Sequence, residues 1–251
     1  MVVSPTVAQS GIEGTVYRCL ETPCGAEYGE YLFRSIAYDA VPMVPDYDFW
    51  LLDLDGTLVD VEPAYVYEVM DEVGRRLGRE FTTRQAELLW HGYGGQRDQL
   101  LDQLGIDPQR FWATFHEVED PITRSESTFL YEDATFVGEL DQPTGLVTHC
   151  QNYLTGPVLE YHDIADWFDT VICCTDDVGW KPDPAPVEQA MDDLDVGHNG
   201  HAGALVGDSA EDIGAARNAG IDGIHVQRYD PHERGFVVWG DRRIRSFDEL
   251  A

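Results

Sequence analysis

Short apolar runs alternate with amphipathic segments along the chain from residue 48 onward. The first run, DFWLLDLD at 48–55, has the pattern of a buried strand, and residues 62–78 follow as a helix with proline in its first turn and glycine at its end. Further strands are predicted at 144–150, 169–174, 203–208 and 223–226, with helices between them at about 152–161, 184–194 and 209–220. This alternation predicts an α/β fold built on a doubly wound parallel sheet.

The stretch between the first two of these strands is helical only. Helices are predicted at about 83–91, 96–104 and 108–118, with less regular pieces to about 140. We therefore predict a core of residues 48–60 and 141–251 that carries an inserted α-helical cap of residues 61–140. Residues 1–47 show no clear period and form an N-terminal extension of unknown role; a start at Met43 would still leave the first strand complete.

Charge is the most informative feature of the composition. The 251 residues include 47 acidic and 16 basic ones, for a formal net charge of −31, and Lys181 is the only lysine. Such a surface suits a cytoplasm rich in salt, where screening shortens the reach of repulsion. No basic patch exists to meet a nucleic acid or an anionic membrane. No apolar stretch is long enough to span a bilayer, and no secretory signal pattern opens the chain, so a cytoplasmic protein of unspecified oligomeric state is expected.

The candidate chemistry lies at the predicted strand ends. Doubly wound sheets bind ligands beyond the carboxyl ends of their strands. Four of these ends, or the loops and turns just after them, carry polar side chains: Asp53 and Asp55, Thr148, Lys181, and Asp208 with Asp212. Clustered carboxylates favour a hard cation such as Mg²⁺, while a hydroxyl and an ammonium group can bind phosphate oxygens. Each piece alone is weak evidence, and their order along the chain is what indicates a site.

These residues also carry a family resemblance. The segments DLDGTLVD, LVTH, KPDP and VGDSAEDIGAARNAG resemble, in this order, the four motifs of the haloacid dehalogenase (HAD) superfamily. The resemblance runs from about residue 48 to the C-terminus. The helical insert after the first motif and the closing RRIRSFDELA are similar to the phosphoglycolate-phosphatase-like branch. The resemblance implies a HAD-like Rossmannoid core and a Mg²⁺-dependent phosphatase that acts on a small phosphorylated metabolite.

The resemblance also implies a role for each catalytic side chain. Asp53 would attack phosphorus to give an aspartyl-phosphate, and Asp55 would protonate the leaving oxygen and then activate water. Thr148 would hold the phosphoryl group, and Lys181 would offset its charge and that of Asp53. The implied ligands of Mg²⁺ are Asp53, the backbone carbonyl of Asp55, and Asp208. Asp212 would be a direct or water-mediated ligand, or a partner of Lys181.

Further residues are candidates for binding the substrate. Gly56, which permits the turn after the first strand, and Thr57 lie within the first motif. His149 stands where the family often has asparagine, which leaves open whether its side chain or a backbone N–H meets the phosphate. In the cap, the glycine-containing loop HGYGGQRDQ at 91–99 places Gln96 and Arg97 where they could face the substrate; Arg97 could read a carboxylate.

Three alternatives stay open. The aspartate at position 55 speaks against the dehalogenase and phosphonatase branches, which lack it. A phosphomutase of the β-phosphoglucomutase type shares these motifs and differs mainly in its cap. Response-regulator receiver domains also combine an acidic pair, a hydroxyl and a Lys-Pro, but they are about half this size and lack the last motif. A HAD-like module that only accepts phosphate or binds a partner is the remaining alternative.

Overall fold

The computed structural model describes residues 46–92, 96–197, 200–230 and 238–251. The predicted N-terminal extension, apart from Asp46 and Tyr47, and the alternative start at Met43 lie outside the described residues. The strands are β1 (Phe49–Leu52), β2 (Val59–Val61), β3 (Thr128–Leu130), β4 (Thr144–Thr148), β5 (Thr170–Cys173), β6 (Gly203–Gly207), β7 (Asp222–Val226) and β8 (Arg242–Ile244). The α-helices are α1 (Pro63–Leu77), α2 (Thr83–His91), α3 (Gln96–Leu104), α4 (Pro108–Val118), α5 (Pro121–Glu126), α6 (Thr135–Gly138), α7 (Asn152–Tyr161), α8 (Ala185–Asp193) and α9 (Ala210–Ala219).

Six strands form one sheet in the order β5-β4-β1-β6-β7-β8, and every neighbouring pair is parallel. All four residues of the central strand β1 are buried, so both faces of the sheet are covered. Phe49 and Leu51 join the cluster that includes residues of α8 and α9. Trp50, on the opposite face, contacts the rings of Tyr47 and Phe136. The predicted α/β fold with a parallel, doubly wound sheet is confirmed.

Local chemistry explains where the helices begin and end. Helix α1 begins at Pro63 and ends before Gly78, whose φ of 75° is a left-handed conformation that glycine adopts without strain. Helix α9 begins after Ser209, whose hydroxyl accepts a hydrogen bond from the N–H of Asp212 while the Asp212 carboxylate accepts one from the N–H of Ser209. This reciprocal cap anchors Asp212 at the start of the helix that follows β6.

Helices α1 to α5 lie between β2 and β3, which pair as a two-stranded antiparallel ribbon. Helices α1 to α4 share an apolar cluster that includes Met70, Leu101 and Phe111. The ribbon was not predicted, because each strand has three residues and a buried aspartate, Asp60, interrupts the apolar pattern of the first. The closing segment RRIRSFDELA contains β8 and a single 3₁₀ turn at Phe247–Glu249. Among the described residues, none of the helices combines the length and apolar character needed to cross a bilayer.

Candidate active site

The carboxyl ends of three adjacent strands meet at one edge of the sheet. Leu52, the last residue of β1, pairs with Leu146 of β4 on one side and with Val206 of β6 on the other. The N–H of Asp53 continues the pairing by donating to the Val206 carbonyl at 2.9 Å. Asp53 therefore follows directly on the central strand and has Thr148 and Asp208 at the ends of the strands beside it, as the order of motifs predicts.

Lys181 lies at the centre of this edge, with 2% of its side chain exposed. Its Nζ donates to Asp53 Oδ1 at 2.7 Å and to the Val147 carbonyl at 2.8 Å, and lies 2.6 Å from Asp212 Oδ1. A Cβ atom at Gly214 of α9 would lie 2.7 Å from Cβ of Pro182, so the loop that carries Lys181 packs closely on that helix. The only lysine of the chain thus joins the carboxylates that follow β1 and β6.

Burial and the neighbouring opposite charges shift the pKa values of Asp53, Asp212 and Lys181 in opposite directions. Burial raises the pKa of Asp53 to about 7, although Lys181 opposes the rise. Burial also acts to raise the pKa of Asp212, but the ion pair with Lys181 and the hydrogen bonds from Ser209 outweigh it and lower that pKa. Burial acts to lower the pKa of Lys181, and the two carboxylates raise it above its ordinary value. Lys181 is therefore a fixed positive charge and Asp212 a fixed negative one.

The arrangement of carboxylates fits a hard cation. Oxygen atoms of Asp53, Asp208 and Asp212 lie within 4.8 Å of one another. Burial and the negative charges of Asp212, Asp53 and Asp60 raise the pKa of Asp208 well above its ordinary value, and the opposing charge of Lys181 does not offset them. Gly56 has a φ of 79°, and a Cβ atom there would lie 2.5 Å from Asp208 Oδ2; only glycine leaves that space open. Three carboxylates beside one lysine suit Mg²⁺, which prefers oxygen ligands.

Asp55 lies on the turn that follows β1. The turn is closed by the N–H of Gly56, which donates to the Val59 carbonyl at 2.7 Å. The side chain of Asp55 is 39% exposed and accepts a hydrogen bond at Oδ1 from Nη2 of Arg124, a residue of α5. The predicted acid/base is thus the more accessible of the two aspartates after β1, and the buried side chain of Arg124 contacts it.

Three smaller groups surround Asp53 and Lys181. The hydroxyl of Thr57 donates to Asp53 Oδ2 at 3.3 Å. The Thr148 hydroxyl oxygen accepts the N–H of Cys150 at 3.0 Å, which orients the hydroxyl and leaves its proton available to a ligand. Burial, with Lys181, lowers the pKa of His149 to about 4, so its ring is neutral. The Nε2 of His149 is buried and has no hydrogen-bond partner among the described residues.

The two predicted cap residues occupy different environments. Gln96 is exposed at the first position of α3. Arg97 donates from Nε to the Leu89 carbonyl at 2.7 Å and from Nη2 to the Trp90 carbonyl at 2.6 Å, so it caps the end of α2. It also contributes to the lowered pKa of His149, which places its charge within range of the site. Residues 93–95 of the glycine-containing loop lie outside the described residues.

Two arginines at the site were missed from the sequence. Arg124 of α5 contacts Asp55. Arg228, two residues after β7, donates from Nε and Nη2 to the carbonyl of Thr57 at 3.1 and 2.6 Å and pairs with Asp133 at 2.6 Å, which fixes the turn behind Asp53. A position just after the carboxyl end of a strand was the one available signal for Arg228. Nothing in the sequence around Arg124 distinguishes it.

The chain is similar in sequence to known hydrolases and phosphatases. A family model described as "Haloacid dehalogenase-like hydrolase" matches residues 50–226. The chain is 33% identical over 181 residues to a plasmid-encoded phosphoglycolate phosphatase of Cupriavidus necator, covering 68% of this chain and 77% of that protein. It is 30% identical over 213 residues to the pyrophosphatase PpaX of Halalkalibacterium halodurans, covering 79% of this chain and 88% of that protein.

The fold is also shared with solved structures. A haloacid dehalogenase-like family hydrolase from Streptococcus pneumoniae superposes with a TM-score of 0.63 at 16% identity. The superposition covers 81% of this chain and 96% of that one. At this identity the likeness concerns the fold alone.

Proposed function

Because this chain belongs to the haloacid dehalogenase-like hydrolases and is a phosphatase of that family, we propose that it hydrolyses a small phosphorylated metabolite through an aspartyl-phosphate on Asp53, with Mg²⁺ as cofactor. One observation carries the proposal: Asp53 is a buried carboxylate held by Lys181 at 2.7 Å, beside two further carboxylates. A nucleophile at the end of the central strand, with a fixed cation against it, suits transfer of an anionic phosphoryl group.

The first step forms a bond between an oxygen of Asp53 and phosphorus and breaks the ester bond. The leaving oxygen takes a proton from Asp55, whose side chain is exposed enough to reach it. Lys181 offsets the charge that accumulates on Asp53 and the transferred group, and the Thr148 hydroxyl donates to a phosphoryl oxygen. In the second step Asp55 accepts a proton from water, the water oxygen attacks phosphorus, and the bond to Asp53 breaks.

Asp53, Asp208 and Asp212, with the Asp55 carbonyl, are the residues that would hold Mg²⁺. When bound, the cation would supply positive charge next to the phosphoryl oxygens. It would also balance the acidic group, which has one cation, Lys181, against three carboxylates. The overall charge of −31 would otherwise repel an anionic substrate, and local positive charge at short range outweighs a screened surface field.

The relatives suggest which substrates to try first. The two similar proteins are named a phosphoglycolate phosphatase and a pyrophosphatase, so 2-phosphoglycolate and pyrophosphate head the panel. A cap that closes over the strand ends would exclude bulky substrates and favour small ones. No observation on the site favours a phosphomutase, which would return the phosphoryl group to a second hydroxyl.

The test is release of inorganic phosphate in molar KCl, with Mg²⁺ or with EDTA. The panel contains 2-phosphoglycolate, pyrophosphate, other small phosphomonoesters and an aryl phosphate. We expect turnover that requires Mg²⁺, with kcat/KM highest for one small substrate. Equal turnover in EDTA would contradict the metal assignment, and no turnover on any substrate would contradict the phosphatase proposal. Molar KCl is chosen because the acidic, lysine-poor composition leads us to propose a salt-rich cytoplasm as the environment.

A further inference from the structure

Arg124 is a cation that the cap presents to the core. It lies in α5, which begins after Asp120, whose carboxylate accepts the N–H of Thr123 at 2.9 Å. The carbonyl of Arg124 accepts the hydroxyl of Thr128 at 2.7 Å, and Thr128 is the first residue of β3. Strand β3 pairs with β2, which follows the Asp55 turn directly. The backbone of Arg124 is therefore hydrogen-bonded to the β2–β3 ribbon, and β2 of that ribbon directly follows the turn that carries Asp55.

The side chain of Arg124 is buried, with 5% exposed, and only part of its hydrogen-bonding capacity is satisfied among the described residues. Its Nη2 donates to Asp55 Oδ1, whereas Nε and Nη1 have no hydrogen-bond partner among the described residues. The guanidinium carbon lies 5.9 Å from the ring centroid of Tyr65 and 5.8 Å from that of Trp90. Burying an arginine is costly unless it is paired, and Asp55 is the hydrogen-bonded partner it has here. The contact with Asp55 therefore compensates part of the cost of burying this charge.

Arg124 also has a second carboxyl group close by. Glu119, at the end of α4, is buried, and its burial raises its pKa to about 7, while the charge of Arg124 opposes the rise. The cation thus lies between one acidic group of the cap and one of the core. The rings of Tyr65 and Trp90 flank the guanidinium, and the hydrogen bond from Thr128 to the Arg124 carbonyl holds the backbone that carries it.

The contact with Arg124 occupies Oδ1 of Asp55 and leaves Oδ2 able to exchange a proton with a substrate. Oδ1 accepts from Arg124, and Oδ2 accepts no hydrogen bond from the part of the chain that the structure describes. Since the two oxygens of a carboxylate share one plane, holding one restricts where the other points. An acid/base needs such restriction, because a catalytic proton must be delivered within hydrogen-bond reach of the reacting oxygen.

We propose that Arg124 is a positioning residue for Asp55: it holds Oδ1 from the cap and so directs Oδ2 at the leaving oxygen of the substrate. The inference rests on the proposed role of Asp55 as acid/base. It has a specific consequence. Substrates whose leaving group needs a proton depend on Arg124, whereas a substrate with a weakly basic leaving group does not.

The experiment compares ethyl phosphate, an alkyl ester that needs protonation, with 2,4-dinitrophenyl phosphate, an aryl ester that does not. For Arg124→Gln we expect kcat/KM to fall about 10²-fold or more on the alkyl ester and less than about threefold on the aryl ester, because general acid catalysis contributes about 10²–10⁴-fold. Arg124→Lys should recover part of the alkyl activity. Arg75→Gln, which removes an exposed arginine of α1 whose side chain is 71% exposed, should change neither.

The ratio of the two kcat/KM values does not depend on how much enzyme is folded, so it remains readable for a destabilised variant. Equal losses on both esters would overturn the proposal in favour of a structural role for Arg124. A loss confined to 2-phosphoglycolate, with ethyl phosphate unaffected, would overturn it in favour of binding the substrate carboxylate. If the wild-type enzyme hydrolyses neither ester nor any panel substrate, the proposed function itself fails.

Discussion

Replacing Lys181 by methionine removes a buried cation while keeping a side chain of similar length. In the wild type, Nζ lies 2.7 Å from Asp53 and 2.6 Å from Asp212, whose side chains are 9% and 1% exposed. The carbonyl of Val147 also loses its donor. The substitution leaves two buried carboxylates facing each other without a counter-charge.

The expected cost is about 3–5 kcal/mol of the free energy of unfolding, which is the range for breaking a buried ion pair by removing one partner. Asp212→Asn alone should cost less, because Lys181 keeps Asp53 as its partner. The double variant Lys181→Met/Asp212→Asn should cost clearly less than the sum of the single ones, because it leaves one buried charge instead of two.

The assay is urea unfolding at constant molar KCl in EDTA, read as the midpoint and the m value. Arg75→Met, which removes the exposed partner of Glu72, is the control and should leave the unfolding midpoint unchanged. A loss below about 1 kcal/mol for Lys181→Met, or costs that add to within about 0.5 kcal/mol in the double variant, would show that Lys181 does not stabilise the two carboxylates as a buried counter-charge.

Three further predictions concern neighbouring features. Gly207→Ala places a Cβ atom 2.2 Å from Cγ of Asp212, so it should reduce activity and lower the free energy of unfolding by about 1–3 kcal/mol. Gly156→Ala in α7, where a Cβ atom has nothing within 4 Å, should be neutral or stabilising, and similar unfolding midpoints for the two variants would contradict this. Because burial raises the pKa of Glu119 from 4.5 to about 7, folded protein retains a proton that unfolded protein releases, so stability falls as pH rises through this interval. Glu119→Gln should make that fall smaller by on the order of 3 kcal/mol; the raised pKa values of Asp53 and Asp208 act in the same direction and remain, and parallel stability curves for variant and wild type would contradict the prediction. Dialysis from molar KCl into dilute buffer should lower activity and melting temperature, and full activity in dilute buffer would disprove the salt adaptation.

Much of the helical structure was predictable because local chemistry marks its boundaries. Helix α2 begins after Thr82, whose hydroxyl and backbone exchange hydrogen bonds with Gln85, and its bounds are those that the sequence predicts. Helix α4 likewise begins after Asp107, which accepts the N–H of Arg110. Such caps lie within three residues of the boundary they set, so a single sequence contains them.

The parts that were not predicted depend on contacts distant in sequence. The ribbon of β2 and β3 is specified by the pairing of Asp60 with Phe129 rather than by either short strand. Arg124 is separated from Asp55 by 69 positions and belongs to no motif. The four motifs could predict which strand ends meet, because parallel strands share one edge. They could not predict which cap side chain reaches that edge, because this depends on how the helices of the insert pack.

In the proposed mechanism, Asp53 carries the phosphoryl group during turnover. The most direct measurement is acid quenching of the enzyme with its best substrate and Mg²⁺, followed by reduction with borohydride, which converts an aspartyl-phosphate to homoserine, and peptide mass spectrometry. We expect homoserine at position 53, formed only with substrate and absent from Asp53→Asn, which should fold and release no phosphate. Phosphate release by Asp53→Asn, or a modified residue elsewhere, would contradict it.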